Sequence, residues 1–140
     1  MCGIVGFANP RRGADGADLP RRRDALAHRG PDDVGEWWAE DRSGGLAHSR
    51  LSILDLTPSG HQPMGNPEGT IQLVFNGEIY NHRELRSQLI EAGRVFRGTS
   101  DTEVLLQGYE TWGEALLERI EGMFAFALFD GRRRRLFLAR

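Results

Sequence analysis

Cysteine occurs once in this 140-residue chain, at position 2, between a starting methionine and an apolar run, MCGIVGF. One account is structural: a free thiol packs as a small hydrophobe, and a first strand could bury it. The other is chemical. Loss of Met1 would leave Cys2 with both a thiol and a free α-amine, a nucleophile and its general base on one residue. An α-amine titrates close to neutrality, so a useful fraction of it is neutral base under ordinary conditions. Gly3 behind it leaves room for a substrate to approach the backbone.

Three further stretches carry residue types that could complete such a site. In FNGEIYN (75–81), Asn76-Gly77 is the strongest short signal for a hairpin turn. The same pair could form an oxyanion hole from the Asn76 side-chain amide and the Gly77 N–H. In AHSRLSI (47–53), Arg50 stands among apolar neighbours, suited to holding a carboxylate bidentately or to a surface salt bridge. In Gly98-Thr99-Ser100-Asp101 a helix N-cap is sufficient reason for the residues, and Asp101 could equally hold an ammonium group. Arg132 to Arg135 read as a solvated hairpin end rather than a nucleic-acid patch, since no aromatics interleave them. Four histidines, at 28, 48, 61 and 82, show no metal-ligand spacing with the single cysteine, and no metal is assigned.

The elements that must position these residues follow from pattern. Cys2 to Ala8 reads as a buried strand and Asn9 to Asp18 as a loop; Leu19 to His28 reads as a short helix stopped by Arg29-Gly30-Pro31. Val34 to Ala39 and Leu46 to Leu56 read as strands joined by a turn at Ser43-Gly44-Gly45. Thr57 to Gly69, with three prolines and three glycines, reads as loop, and Ile71 to Phe75 as the next strand. Asn81-His82-Arg83-Glu84 and Ser100-Asp101-Thr102-Glu103 resemble capping boxes opening two helices, with Gly93 and Gly113 as breaks. Met123 to Phe129 is apolar at every position, the pattern of a strand covered on both faces, and Leu136 to Ala139 returns after a turn at Asp130-Gly131. That order predicts an α+β layered sandwich rather than a doubly wound parallel sheet.

Composition narrows the function. The chain is one domain's length, with 39% hydrophobic and 27% charged residues and a formal charge of −2, so no global basic field draws it to nucleic acid or membrane. All 18 basic residues are arginine, which excludes a P-loop lysine and a Schiff-base lysine. The apolar runs are too short to span a bilayer, and the N-terminus lacks the form of a signal peptide. A lone cysteine forms no intrachain disulfide, and a reducing, cytoplasmic location is expected.

Seven stretches taken together resemble one family: MCGIVGF, HRGPDD (28–33), HSRLSILDL (48–56), HQPM (61–64), FNGEIYNHRELR (75–86), TSDTEVLL (99–106) and GMFAFALFD (122–130). In order from Cys2 to Arg140 they look like the glutaminase domain of asparagine-synthetase-type glutamine amidotransferases, of the class II, N-terminal-nucleophile group. The resemblance implies a four-layer αββα sandwich of the N-terminal-nucleophile hydrolase type, incomplete at its C-terminal end. It implies that Cys2 attacks the side-chain amide of L-glutamine, with Asn76 and the Gly77 N–H stabilising the oxyanion. Arg50 would bind the α-carboxylate and Asp101 the α-ammonium, with Glu78 beside them and backbone groups of Leu51 and Ile53 lining the site. A γ-glutamyl thioester would form, ammonia would leave, and water would release glutamate.

On this resemblance residues 1–140 are a C-terminally truncated glutaminase domain. The ammonia acceptor would be an asparagine-synthetase-like site on a missing domain or partner subunit. That absent synthetase domain would carry an ATP-pyrophosphatase loop of the Ser-Gly-Gly-x-Asp-Ser kind; Ser43-Gly44-Gly45-Leu46-Ala47-His48 lacks its Asp and its final Ser. No cofactor is expected on this chain, ATP and magnesium only on the absent domain, and a homodimer is left open. The alternative is a non-catalytic glutamine-binding or assembly module.

Overall fold

Two antiparallel sheets form the framework of the structure. Gly3–Ala8 (β1), Asp33–Trp38 (β2) and Gly44–Arg50 (β3) form the first, in the order β1-β3-β2. Met64–Gly65 (β4), Ile71–Ile79 (β5), Gly122–Asp130 (β6) and Arg135–Ala139 (β7) form the second, in that spatial order. Leu19–Asp24 (α1) lies on the outer face of the first sheet; His82–Glu91 (α2) and Asp101–Trp112 (α3) cover the outer face of the second. The computed structural model describes residues 2–8, 18–52 and 58–140. Its layers run helix, sheet, sheet, helix, the αββα sandwich expected.

The layering follows from period-two alternation along the strands. In β5, Ile71, Leu73 and Phe75 face the helices, where they join Leu85, Leu89 and Leu105 in one core. Val74 points the other way and meets Leu46, Ala127 and Phe129 between the sheets. β6 divides in the same manner, Phe126 and Leu128 outward and Ala127 and Phe129 inward, which is why its apolar run shows no alternation in sequence. The first half of that run is more open than expected: Met123 is 73% exposed.

Several elements depart from their sequence expectation. Gly44 and Gly45 are strand residues, not a turn; a Cβ on Gly44 would lie 2.8 Å from the Phe129 ring, and one on Gly45 2.8 Å from Phe7. These glycines let the layers close, and the reversal falls earlier, at a residue with positive φ, Arg42. β3 ends at Arg50 rather than continuing to Leu56, and residues 53–57 lie outside the described residues, as do 9–17 of the expected first loop. The loop at 57–69 contains the short strand β4. α1 stops at Asp24, and Ala27–Arg29 form a separate 3₁₀ turn before Gly30.

The most consequential departure is β5, which runs four residues past Phe75. Asn76-Gly77 is mid-strand, paired with Ala125 and Phe124 of β6, and no hairpin turn forms there. Gly77 has φ 152°, and a Cβ on it would lie 2.2 Å from the Met123 carbonyl oxygen. The glycine therefore serves close approach of two backbones.

The helix starts are also only half as expected. Ser100 Oγ accepts from Glu103 N–H at 3.2 Å, but Glu103 turns its carboxylate to the N–H groups of Arg97 and Gly98 instead of back to Ser100. Asn81 makes no side-chain cap; its amide is taken by the Arg119 carbonyl and the Glu121 N–H, tying the start of α2 to the approach to β6.

Leu46 is fully buried and is the largest side chain that the first sheet contributes wholly to the inter-sheet layer. Leu46→Ala is expected to cost roughly 3 kcal/mol of stability, read as a fall in the urea midpoint at unchanged slope.

Candidate active site

The antiparallel pairing of β1 with β3 sets Gly3 opposite Ser49, which brings the residue before β1 alongside the end of β3. Cys2 Sγ accepts a hydrogen bond from Leu51 N–H at 3.3 Å and lies 3.6 Å from the Leu51 carbonyl. The Cys2 carbonyl in turn accepts from Arg29 Nε at 3.0 Å, so the chain start is held rather than frayed.

HRGPDD supplies the surrounding brace. Gly30 packs so closely that a Cβ there would lie 2.2 Å from the Ser49 carbonyl oxygen. Asp32 accepts from Ser52 N–H at 2.8 Å, and its own N–H donates to the Arg50 carbonyl at 3.0 Å.

Alternation decides what faces the gap between the sheets. Ile4, Leu46 and Val74 mark the inward face of β1, β3 and β5, and two or four residues along lie Cys2, Arg50, Asn76 and Glu78. All four line a cleft of about 410 Å³ at this end of the sandwich, together with Leu51, Gly77 and Asp101. The cleft thus gathers every described residue that the family resemblance implied for a glutamine site; Ile53 lies outside the described residues. Sequence reasoning missed Gln62 and Thr102, and also Phe124 and Ala125, which follow from the β5–β6 register opposite Gly77 and Asn76. Gln62 belongs to HQPM, a motif with no assigned chemistry; Thr102 had only its neighbour Asp101 to point to it.

The cleft is charged on both signs. Arg50 is largely buried, and Asp101, 4% exposed, sits in the first turn of α3 and accepts from Ile79 N–H at 3.1 Å. Burial pushes the Asp101 carboxyl above its ordinary value, while the Ile79 N–H and nearby His82 pull it down. A cationic group entering the cleft would favour the ionised carboxylate; an anionic group would find Arg50. The arrangement suits a small zwitterion with a neutral electrophilic end near the Cys2 sulfur. Among the described residues no cluster of three or more His, Cys, Asp or Glu side chains could hold a metal ion, and no helix is long and apolar enough to cross a membrane. Gly44 and Gly45, buried beneath aromatic rings, are not arranged as a phosphate-binding loop.

Beneath the cleft, His48 donates through Nε2 to the Phe75 carbonyl at 3.2 Å, while its Nδ1 is buried without a partner. Burial holds this imidazole down at about 4, with Arg50 adding to the effect and the Phe75 carbonyl opposing it. It is neutral at pH 7.

Comparison with known proteins places these features in a family context. Residues 1–140 match the family model described as glutamine amidotransferase domain. The chain is 46% identical over 155 residues to a putative glutamine-hydrolyzing asparagine synthetase of Mycobacterium tuberculosis H37Rv, covering 100% of this chain and 24% of that protein. It is 39% identical over 144 residues to glutamine-hydrolyzing asparagine synthetase 3 of Bacillus subtilis, covering 100% of this chain and 23% of that one. The chain thus spans about a quarter of the length of these curated relatives. Among solved structures, glutamine phosphoribosylpyrophosphate amidotransferase from B. subtilis, complexed with ADP and GMP, aligns with a TM-score of 0.66. Its 22% identity, over 93% of this chain and 35% of that one, shows a shared fold.

His48 also generates a pH dependence. Its folded value of about 4 lies below the ordinary 6.5, so the unfolded chain binds more protons between those limits. Its contribution is therefore complete above pH 6.5 and lost as pH falls toward 4, by roughly 3 kcal/mol. Urea unfolding across this range is expected to show wild type losing that much more stability than His48→Gln, which keeps a donor for Phe75 but does not titrate.

Proposed function

The chain belongs to the glutamine amidotransferase domain family, and on that premise we propose that it hydrolyses L-glutamine to glutamate and ammonia through Cys2. The observation that carries the reading is the convergence of Cys2, Arg50, Asn76 and Asp101, from four separate parts of the chain, on one cleft. Each charge of the glutamine backbone meets its opposite there, and the side-chain amide is left for the thiol.

Removal of Met1 exposes the Cys2 α-amine, which takes the thiol proton as sulfur attacks the amide carbon. The carbonyl oxygen becomes an oxyanion, which the Asn76 side-chain amide and the Gly77 N–H stabilise from within the paired strand β5. The α-ammonium returns its proton to the leaving nitrogen, the carbon–nitrogen bond breaks, and ammonia departs from a γ-glutamyl thioester. Water, deprotonated by the same amine, then attacks the thioester; glutamate leaves and the thiol is restored.

Arg50 holds the substrate carboxylate bidentately, and Asp101 with Glu78 holds its ammonium. Leu51 serves twice, fixing the sulfur and lining the substrate's path. The ammonia is passed to an asparagine-synthetase-like acceptor site on a partner domain or subunit, where any use of ATP and magnesium would also lie. The names of the M. tuberculosis and B. subtilis relatives support that destination.

Intact mass after incubation with a glutamine-like electrophile such as diazo-oxo-norleucine is expected to show loss of Met1 and one adduct, on Cys2. Cys2→Ala is expected to abolish both adduct and glutamate production while glutamine still binds. Binding without adduct or product in the wild-type chain would make it a glutamine-binding module instead. In the Cys2→Ala background, calorimetric affinity for glutamine is expected to fall on acidification as Asp101 takes its proton. Asp101→Asn should remove that dependence and weaken binding at neutral pH by about tenfold or more.

A further inference from the structure

Phe75 immediately precedes Asn76, and its backbone faces an unusual situation. β5 is flanked by β6 on one side and by β4 on the other, but β4 pairs only with Leu73 and Gln72. Beyond Leu73 the second edge of β5 has no neighbouring strand among the described residues, although Phe75 is 4% exposed. Its edge-facing N–H and carbonyl would be buried donors and acceptors with no ladder to meet.

Two side chains replace the ladder. Phe75 N–H donates to Gln62 Oε1 at 2.6 Å, and the Phe75 carbonyl accepts from His48 Nε2 at 3.2 Å. The orientation of the Gln62 amide is settled by the Phe75 N–H, which can only donate and so requires the oxygen; Nε2 at the other end then donates to Thr102 Oγ1 at 3.2 Å. Continuing the β4 register would set Gln62 opposite Phe75. A cis peptide joins Gln62 to Pro63, and the glutamine presents its side chain there.

Gln62 is itself firmly seated. Its carbonyl oxygen occupies the place of a missing side chain on Gly35 of β2, where a Cβ would lie 2.0 Å away. The preceding residue, His61, pairs with Asp33 of the same strand at 2.7 Å. The residue therefore rests on the first sheet and reaches both the second sheet and the start of α3.

We infer that Gln62 is a positioning residue for the reaction, holding the Phe75 peptide so that Asn76 and the Gly77 N–H stay aimed at the developing oxyanion. The inference rests on the glutaminase reading above. It assigns a task to HQPM, which that reading leaves unused. Without the Gln62 acceptor a buried N–H is orphaned, and the strand relaxes toward water or another partner at the residue next to Asn76. A displacement of that kind, well under the width of an atom, is enough to lower turnover substantially.

The test compares wild type, Gln62→Met and Gln62→Glu. Methionine keeps the volume and removes both hydrogen bonds; glutamate keeps an oxygen for Phe75 N–H and can accept from the Thr102 hydroxyl. Glutamine hydrolysis, alkylation of Cys2 by iodoacetamide, and thermal melting are measured on each. Alkylation proceeds without an oxyanion, so it reads thiol access and reactivity alone.

The expected result is a fall in kcat of about 10- to 100-fold for Gln62→Met. KM should stay within about threefold and alkylation within about twofold, while Gln62→Glu returns to within about threefold of wild-type kcat. Three results would overturn the inference: unchanged kcat in Gln62→Met, an equal fall of kcat and alkylation, or equal impairment of Gln62→Met and Gln62→Glu. No hydrolysis by wild type would instead remove the glutaminase reading itself, and this inference with it.

Discussion

Side chains on a strand alternate between faces, and the layer between the two sheets uses that alternation for two purposes. Toward the interior the inward positions carry Ile4, Leu46, Val74 and Phe129, and the layer is hydrocarbon. At one end the same rows continue as Cys2, Arg50, Asn76 and Glu78, and the layer becomes a cleft. A one-residue slip of β1 against β3, or of β5 against β6, would turn these groups to the wrong face. Register thus fixes the fold and the chemistry together, and the packed layer supplies the rigidity that the cleft requires.

The charges at that end are arranged at some expense to stability. Asp101 is buried, and burial opposes its ionisation; the N-terminus of α3 and the Ile79 N–H offset part of that cost. His48 is kept neutral beneath the cleft by burial, with Arg50 adding to the effect. On the proposed reading the cleft receives an ammonium at Asp101 and a carboxylate at Arg50. Such a distribution is what a preorganised site for a zwitterion requires.

The parts of this structure legible in the sequence are those set by local pattern. The first strand, though only Gly3 in it is buried, the helix starting at Ser100, the break at Gly113 and the final hairpin follow from apolar spacing and capping chemistry. Cys2, Arg50 and Asp101 stood out because their types are unusual in their surroundings. The illegible parts depend on residues far away in the chain. Asn76-Gly77 has the composition of a turn, and only the β6 backbone beside it keeps the strand straight. Gly44-Gly45 looks like a turn for the same reason, and only Phe129 and Phe7 show its use. Gln62 lies in a proline-rich loop, and nothing local indicates that its amide completes the edge of β5.

The close contacts at glycine fall into two kinds, with different outcomes for sequence drift. At Gly44, Gly45 and Gly108 the atoms in the way belong to the side chains of Phe129, Phe7 and Leu116. A substitution there could be accommodated by a smaller partner, so each position can change as one of a pair. At Gly30, Gly35 and Gly77 the nearest obstructing atoms are the main-chain carbonyls of Ser49, Gln62 and Met123. Those oxygens are present whichever residue occupies the partner position, so no compensating mutation can make room. Those three glycines are therefore locked individually, and the backbone around each can admit a side chain only by moving.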